Sequence, residues 1–131
     1  GTNDSYIDQG QQNSRLSAEQ YQENLKAIVE ECNRLGIQPI LMTEPRWGDR
    51  AGNNGVGEHP NVRLETYVAA CRRVAEETQT PLIDHFRVWT DSNSKGTDIG
   101  IWTTDQCHPN PAGHSVIADT MLPVVLKAVT R

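Results

Sequence analysis

The sequence predicts an α/β domain built on a parallel sheet, and three observations carry that expectation. Helical and strand-like patterns alternate as helix, strand, helix, strand, helix. The two strand segments, "IQPILMT" and "PLIDHF", are apolar nearly throughout, as strands covered on both faces are. Only two such segments occur in 131 residues, and a two-stranded sheet is marginal by itself. The chain therefore reads as the second half of a doubly wound domain.

The elements follow in order. After a polar opening loop, residues 17–36 read as a helix. Ser17 with Gln20 three positions later fits a capping box, and Gly36 fits the C-terminal stop. Tyr21, Leu25, Ile28, Cys32 and Leu35 form its predicted apolar stripe. Residues 37–43 are the first buried strand, closed by Glu44-Pro45. The glycine-rich stretch "RWGDRAGNNGVGEHPN", residues 46–61, is a surface loop. A second helix spans about 61–78, with Leu64, Tyr67, Cys71 and Val74 on one face. Residues 81–86 are the second strand, and 87–104 hold a short helix or turn and a loop with Trp89 and Trp102. The last helix begins near Pro111 and sets Ile117, Met121, Val124 and Ala128 on one side. Pro123 is expected to kink or restart it.

Composition narrows the function classes. Asp and Glu total 17 against 12 Lys and Arg, a net charge of −5, with no basic cluster to meet nucleic-acid phosphates. No apolar run approaches the length of a membrane span, so no membrane segment is expected. No signal peptide is visible. An opening "GTND" without Met suggests a fragment or a processed product, which leaves localisation unreadable apart from a lean to an extracytoplasmic setting. Cys32, Cys71 and Cys107 are odd in number and lack a CxxC pair, so a disulfide framework is not expected; Cys32 and Cys71 read as small buried hydrophobes.

The chemistry-bearing stretch is "TTDQCHPNPAGHSVIAD", residues 103–119. Asp105 precedes His108 by three positions, and a carboxylate so placed on a tight loop can reach the histidine Nδ1. That contact fixes the imidazole tautomer and stabilises the imidazolium of a general base. Pro109 and Pro111 stiffen the segment, and Gly113 permits close approach where the last helix starts. On spacing alone such a pair is unspecific.

The string "DQCHPNPAGH" resembles the last block of the SGNH, or GDSL-type, esterases and acylhydrolases, in which Asp-x-x-His-Pro supplies two members of a catalytic triad. The opening "GTND" resembles the Gly-x-Asn-Asp block of the same family. Both blocks stand in the family's order, joined by helix, strand, helix, strand. The resemblance implies the second half of a flavodoxin-like three-layer α/β/α domain over residues 1–131, with the N-terminal strands and the serine block absent from this chain. It implies a serine ester hydrolase acting through an acyl-enzyme, without metal or other cofactor. His108 would be the base, Asp105 its orienter and Asn3 an oxyanion-hole donor through its side-chain amide. Asp4 matches the motif without a proton-transfer role and is expected to cap or fix the loop. Taken alone, "GTND" reads better as an Asx turn than as a catalytic block.

The family's Gly-Asp-Ser block has no counterpart here. In "WTDSNS", Ser92 occupies the corresponding position, but Thr90 replaces the glycine, and its use requires a permuted chain. Ser5 and Ser115 have less support. The serine is expected on sequence outside this chain, supplied by an N-terminal fragment or second polypeptide that also completes the sheet beside residues 37–43. The chain alone is then expected to be inactive. Two other classes stand beside this one. Asp105, Cys107, His108 and His114 are metal-ligand types in a short span but lack a recognised spacing. A non-catalytic binding or structural module of the same fold is the other. His59 and His85 read as structural. Trp47 and Trp102 lie in loops that could border a cleft, and the polar, glycine-rich loops favour acyl groups on carbohydrate or other small soluble esters.

Overall fold

A computed structural model describes residues 1–129. The order is α1 (Thr2–Ser5), α2 (Ala18–Arg34), β1 (Leu41–Thr43), α3 (Pro60–Glu77), β2 (Leu82–Asp84), α4 (His85–Ser94), a 3₁₀ turn (Ile99–Trp102) and α5 (Pro111–Val129). β1 and β2 run parallel in the register Leu41 to Leu82, Met42 to Ile83 and Thr43 to Asp84. The protein is a mixed α/β fold with a small parallel sheet, in the helix–strand alternation read from the sequence.

Local chemistry sets the ends of α2. The Ser17 hydroxyl accepts the Gln20 N–H at 3.2 Å, and the Gln20 side chain accepts the Ser17 N–H at 3.4 Å. At the other end Gly36 takes φ +71°, and Ile37 N–H reaches Cys32 O at 2.8 Å. This is the six-to-one closure that a left-handed C-terminal residue allows. The buried face departs from the predicted stripe. Tyr21 and Val29 are buried, with Leu25 packed beside them, whereas Ile28 and Leu35 are 56% and 55% exposed. Contact with α3 follows the i, i+4 row 21–25–29, and a row spaced by four lies differently around the helix from one that alternates four and three.

Both strands are shorter than predicted. Residues 37–40 lie outside β1, and Pro39 among them has no N–H to donate to a ladder. β2 ends at Asp84 because that side chain caps α4, accepting the Arg87 N–H at 3.1 Å. His85 and Phe86 therefore start a helix rather than finish a strand. Asp84 also accepts from Thr43 Oγ1 at 2.9 Å and from Arg72 Nε and Nη2 at 2.9 and 3.0 Å. Burial acts to raise this carboxyl, but Arg72, the Arg87 N–H and Thr43 together hold it below the usual carboxylate range.

The core lies between α2, α3 and β1, where Tyr21, Val29, Leu41, Tyr67, Cys71 and Val74 pack together. On α3 the predicted residues Leu64, Tyr67, Cys71 and Val74 are all buried. Ile83 is 2% exposed, while Met42, its in-register partner on the same sheet face, is 45% exposed. Among the described residues β1 pairs with β2 alone.

In α5 only Gly113 is buried, and the stripe Ile117, Met121, Val124 and Ala128 is half-covered. Pro123 sits inside the helix without ending it. Contrary to the expectation from single apolar runs, α5 is long and apolar enough, by length and composition, to cross a membrane. His114, Asp119 and Lys127 interrupt the run, but the average over the helix still meets that measure. Gly113 explains the seating of its first turn, since a Cβ there would overlap the Trp102 carbonyl oxygen.

Candidate active site

The turn that follows the 3₁₀ segment holds Asp105 and His108. Its neck is an antiparallel bridge between Thr103 and Pro109, closed by Thr104 N–H to His108 O at 2.9 Å. Within it Asp105 Oδ1 accepts the backbone N–H groups of Cys107 at 3.0 Å and His108 at 2.8 Å. Asp105 Oδ2 lies 2.7 Å from His108 Nδ1. The His108 N–H, then its ring, then the Cys107 N–H hold the Asp105 carboxyl down at about 2. An ionised carboxylate only accepts, so Nδ1 carries the hydrogen and Nε2 is left with its lone pair. The ring is thus set in the tautomer a general base requires.

Gln106, between the two, was not singled out in the sequence. It adopts φ +72°, in the left-handed region that costs a non-glycine residue energy. Its N–H is taken by Thr103 Oγ1 at 2.9 Å, and its carbonyl accepts Gly48 N–H at 2.8 Å. Its side chain lies against Gly48 and Gly100, where added Cβ atoms would collide with it. The Asp105–His108 turn is thereby bolted to the loop that follows β1. No local pattern announces such a residue, because its role depends on the distant segment at Gly48 as well as on its own turn.

At the chain's other end, α1 presents Asn3. The Gly1 nitrogen donates to Asp4 Oδ2 at 2.7 Å and lies 2.9 Å from Glu44 Oε1. A Cβ on Gly1 would meet the tip of the Glu44 side chain. Asp4 thus fixes the loop. Asn3 and His108 line one cleft of about 360 Å³, together with Tyr6, Arg15, Glu44 and Trp47. Glu44 and Trp47 follow β1, so the cleft opens beyond the carboxyl end of a parallel strand, the usual ligand position in open α/β sheets.

Trp47 stacks on Tyr6, with ring centroids 6.0 Å apart and planes at 19°. Asn61 holds the Trp47 backbone in place, accepting its N–H at 2.8 Å and donating to its carbonyl at 3.0 Å. His59 caps α3 by accepting Asn61 N–H at 3.2 Å through Nδ1, which leaves Nε2–H to donate to Gly48 O at 3.1 Å. Trp102, in contrast, packs edge-on to buried Trp89 at 5.1 Å and does not line the cleft. Tyr6, Arg15 and Glu44 were not found by sequence reasoning, because they lie in irregular segments without periodicity.

The remaining candidates lie elsewhere. Ser92 is within α4, its hydroxyl donating to Val88 O at 2.9 Å, and is not a cleft residue. The structure therefore does not bring it to His108. Ser5 is buried and donates to Thr2 O at 3.1 Å, and Ser115 lies on exposed α5. Among the described residues no three His, Cys, Asp or Glu side chains gather as a metal site. His114 is exposed, and His85 is buried with its ring pKa lowered chiefly by that burial. The three cysteines are free thiols. Burial, and then the Asp105 charge, push the Cys107 thiol up to about 11.

Fold and cleft together define a parallel-sheet α/β protein whose cleft is lined by an asparagine and by a histidine that an aspartate holds. The sequence profile of the GDSL-like lipase/acylhydrolase family matches residues 1–116, and the chain belongs to that family. It is 24% identical over 139 aligned residues to the human isoamyl acetate-hydrolyzing esterase 1 homolog, covering 99% of this chain and 54% of that protein. Among solved structures, an acetyl xylan esterase named AlAXEase superposes with a TM-score of 0.66 at 22% identity, over 83% of this chain and 56% of that one. An acetylxylan esterase of Geobacillus stearothermophilus gives 0.66 at 24% identity, over 84% and 48%. These structures share the fold. The chain spans about half the length of the relatives it matches.

Proposed function

We propose that the protein to which this chain contributes is a serine ester hydrolase, an acyl or acetyl esterase acting on carbohydrate or other small soluble esters. The observation that carries this reading is the 2.7 Å contact of Asp105 with His108 beside a cleft that Asn3 also lines. His108 Nε2 takes the proton of a serine hydroxyl as the oxygen attacks the ester carbonyl. The Asn3 amide donates to the resulting oxyanion, and His108 returns the proton to the leaving alkoxide. Water, deprotonated by the same ring, then releases the acid. Asp105, ionised throughout, keeps the ring oriented and stabilises its cation.

The serine lies outside residues 1–131, on a segment or second polypeptide that also extends the sheet at β1. Support comes from the single partner of β1 among the described residues, the exposed Met42 and half-covered α5, and the half-length match to esterases. The cleft is at the small end of ligand sites, and its Tyr6–Trp47 wall suits a flat sugar or short acyl group better than a long lipid chain.

Hydrolysis of p-nitrophenyl acetate, with intact mass spectrometry of the same material, tests this. The 131-residue chain alone is expected to be inactive, and activity to appear with a serine-bearing segment and vanish on His108→Ala. Robust hydrolysis by the single 131-residue species, abolished by Ser92→Ala, would overturn it.

A further inference from the structure

We propose that Arg15 is a positioning residue that orients the Asn3 amide, an inference that rests on the reading of Asn3 as the oxyanion donor. The two ends of an asparagine amide have the same shape and opposite chemistry. With Nδ2 toward the substrate, Asn3 donates to a developing oxyanion; with Oδ1 there, it presents lone pairs to negative charge. Nothing in the Asn3 backbone distinguishes the two. A neighbour that can only donate does.

Arg15 is that neighbour. A guanidinium has five donors and no acceptor, and Arg15 Nη1 stands 3.3 Å from Asn3 Oδ1. The bond exists only with the carbonyl end turned to Arg15, which leaves Nδ2 as the end free to address the cleft that both residues line. The guanidinium is itself held by two further groups. Asp8 takes Nε at 2.8 Å and Nη2 at 2.7 Å in a two-pronged pair. The Tyr6 ring centroid lies 5.6 Å from its Cζ, and the backbone is held separately, where the Arg15 main-chain N–H donates to Tyr6 O at 3.1 Å. Since Asp8 already neutralises the guanidinium, Arg15 serves orientation rather than capture of an anionic substrate. Its third donor direction falls on Asn3, a geometry that lysine, with one ammonium point charge, does not reproduce.

The test is a double-mutant cycle in the active, serine-containing enzyme, with kcat and KM read on p-nitrophenyl acetate. Asn3→Ala is expected to lower kcat by on the order of 10²-fold. Arg15→Met is expected to lower kcat about tenfold with KM little changed, because misorientation affects the transition state alone. In the Asn3→Ala background Arg15→Met is expected to add no further loss, and Arg15→Lys to restore only part of the rate. Equal losses from Arg15→Met in both backgrounds, or a raised KM at unchanged kcat, would overturn the proposal while leaving Asn3 in its role. An unchanged kcat in Asn3→Ala would remove the reading of Asn3 and this proposal with it. Should Arg15→Met fail to fold, Arg15→Lys in the two backgrounds carries the same cycle.

Discussion

Asp105 grips His108 at two points: Oδ1 accepts its backbone N–H at 2.8 Å while Oδ2 lies 2.7 Å from its ring Nδ1. Asp105 therefore shapes the turn and sets the ring orientation at once. Replacing it separates those tasks. In Asp105→Asn the amide oxygen can still accept the backbone N–H groups, but the amide nitrogen donates to Nδ1 and forces the proton onto Nε2. Activity of the serine-containing enzyme is expected to fall on the order of 10³-fold or more in kcat, with circular dichroism unchanged. A loss below tenfold would count against Asp105 as the orienter.

The same carboxyl gives a pH signature. Its folded value, about 2, lies below the ordinary aspartate value of 3.8, so its contribution to the turn is complete above 3.8. That contribution fades as pH falls from 3.8 through 2. The Asp105 carboxyl carbon, followed by NMR, is expected to titrate near 2. A midpoint at or above 3.8 would mean that the His108 and Cys107 contacts are not held in solution.

Cys107 lines the cleft beside His108, a position that invites the idea of a thiol nucleophile. Burial and the adjacent Asp105 charge raise the thiol to about 11 and suppress the thiolate near neutrality. Alkylation by iodoacetamide at pH 8 is expected to be far slower than for an unfolded-chain cysteine, and Cys107→Ser to keep esterase activity. Rapid alkylation of Cys107, located by peptide mass spectrometry, would contradict this.

Asn61 ties Trp47 to the start of α3 through two bonds to the Trp47 backbone. Asn61→Ala leaves both groups unpartnered and is expected to cost about 1–3 kcal/mol in urea unfolding. It is also expected to raise KM for small esters more than it lowers kcat, because the Trp47–Tyr6 wall loosens while His108 stays in place.

Gly113→Ala is expected to destabilise by about 1–3 kcal/mol or more, since the added methyl meets the Trp102 carbonyl and backbone cannot swing aside as a side-chain tip does. That carbonyl already accepts the Asn110 N–H at 2.9 Å. Urea midpoints of the two proteins measure the difference.

What the amino-acid order settled by itself was local. The Ser17–Gln20 cap, the Gly36 stop and the apolar face of α3 follow from hydrogen bonds and periodicity within a few residues, and all are found as read. Asp105 and His108 were legible for the same reason, because three positions of separation place both groups on one turn. Contacts between distant segments decided the rest. The face α2 buries was chosen by α3, the end of β2 by the Asp84 cap together with Thr43 and Arg72, and the place of Trp102 by Trp89. Gln106, wedged against Gly48 and Gly100, and Arg15, reaching back to Asn3, show no pattern along the chain. Periodicity records what repeats along one element, whereas the cleft is assembled from loop residues whose partners are set only when the sheet brings their segments together.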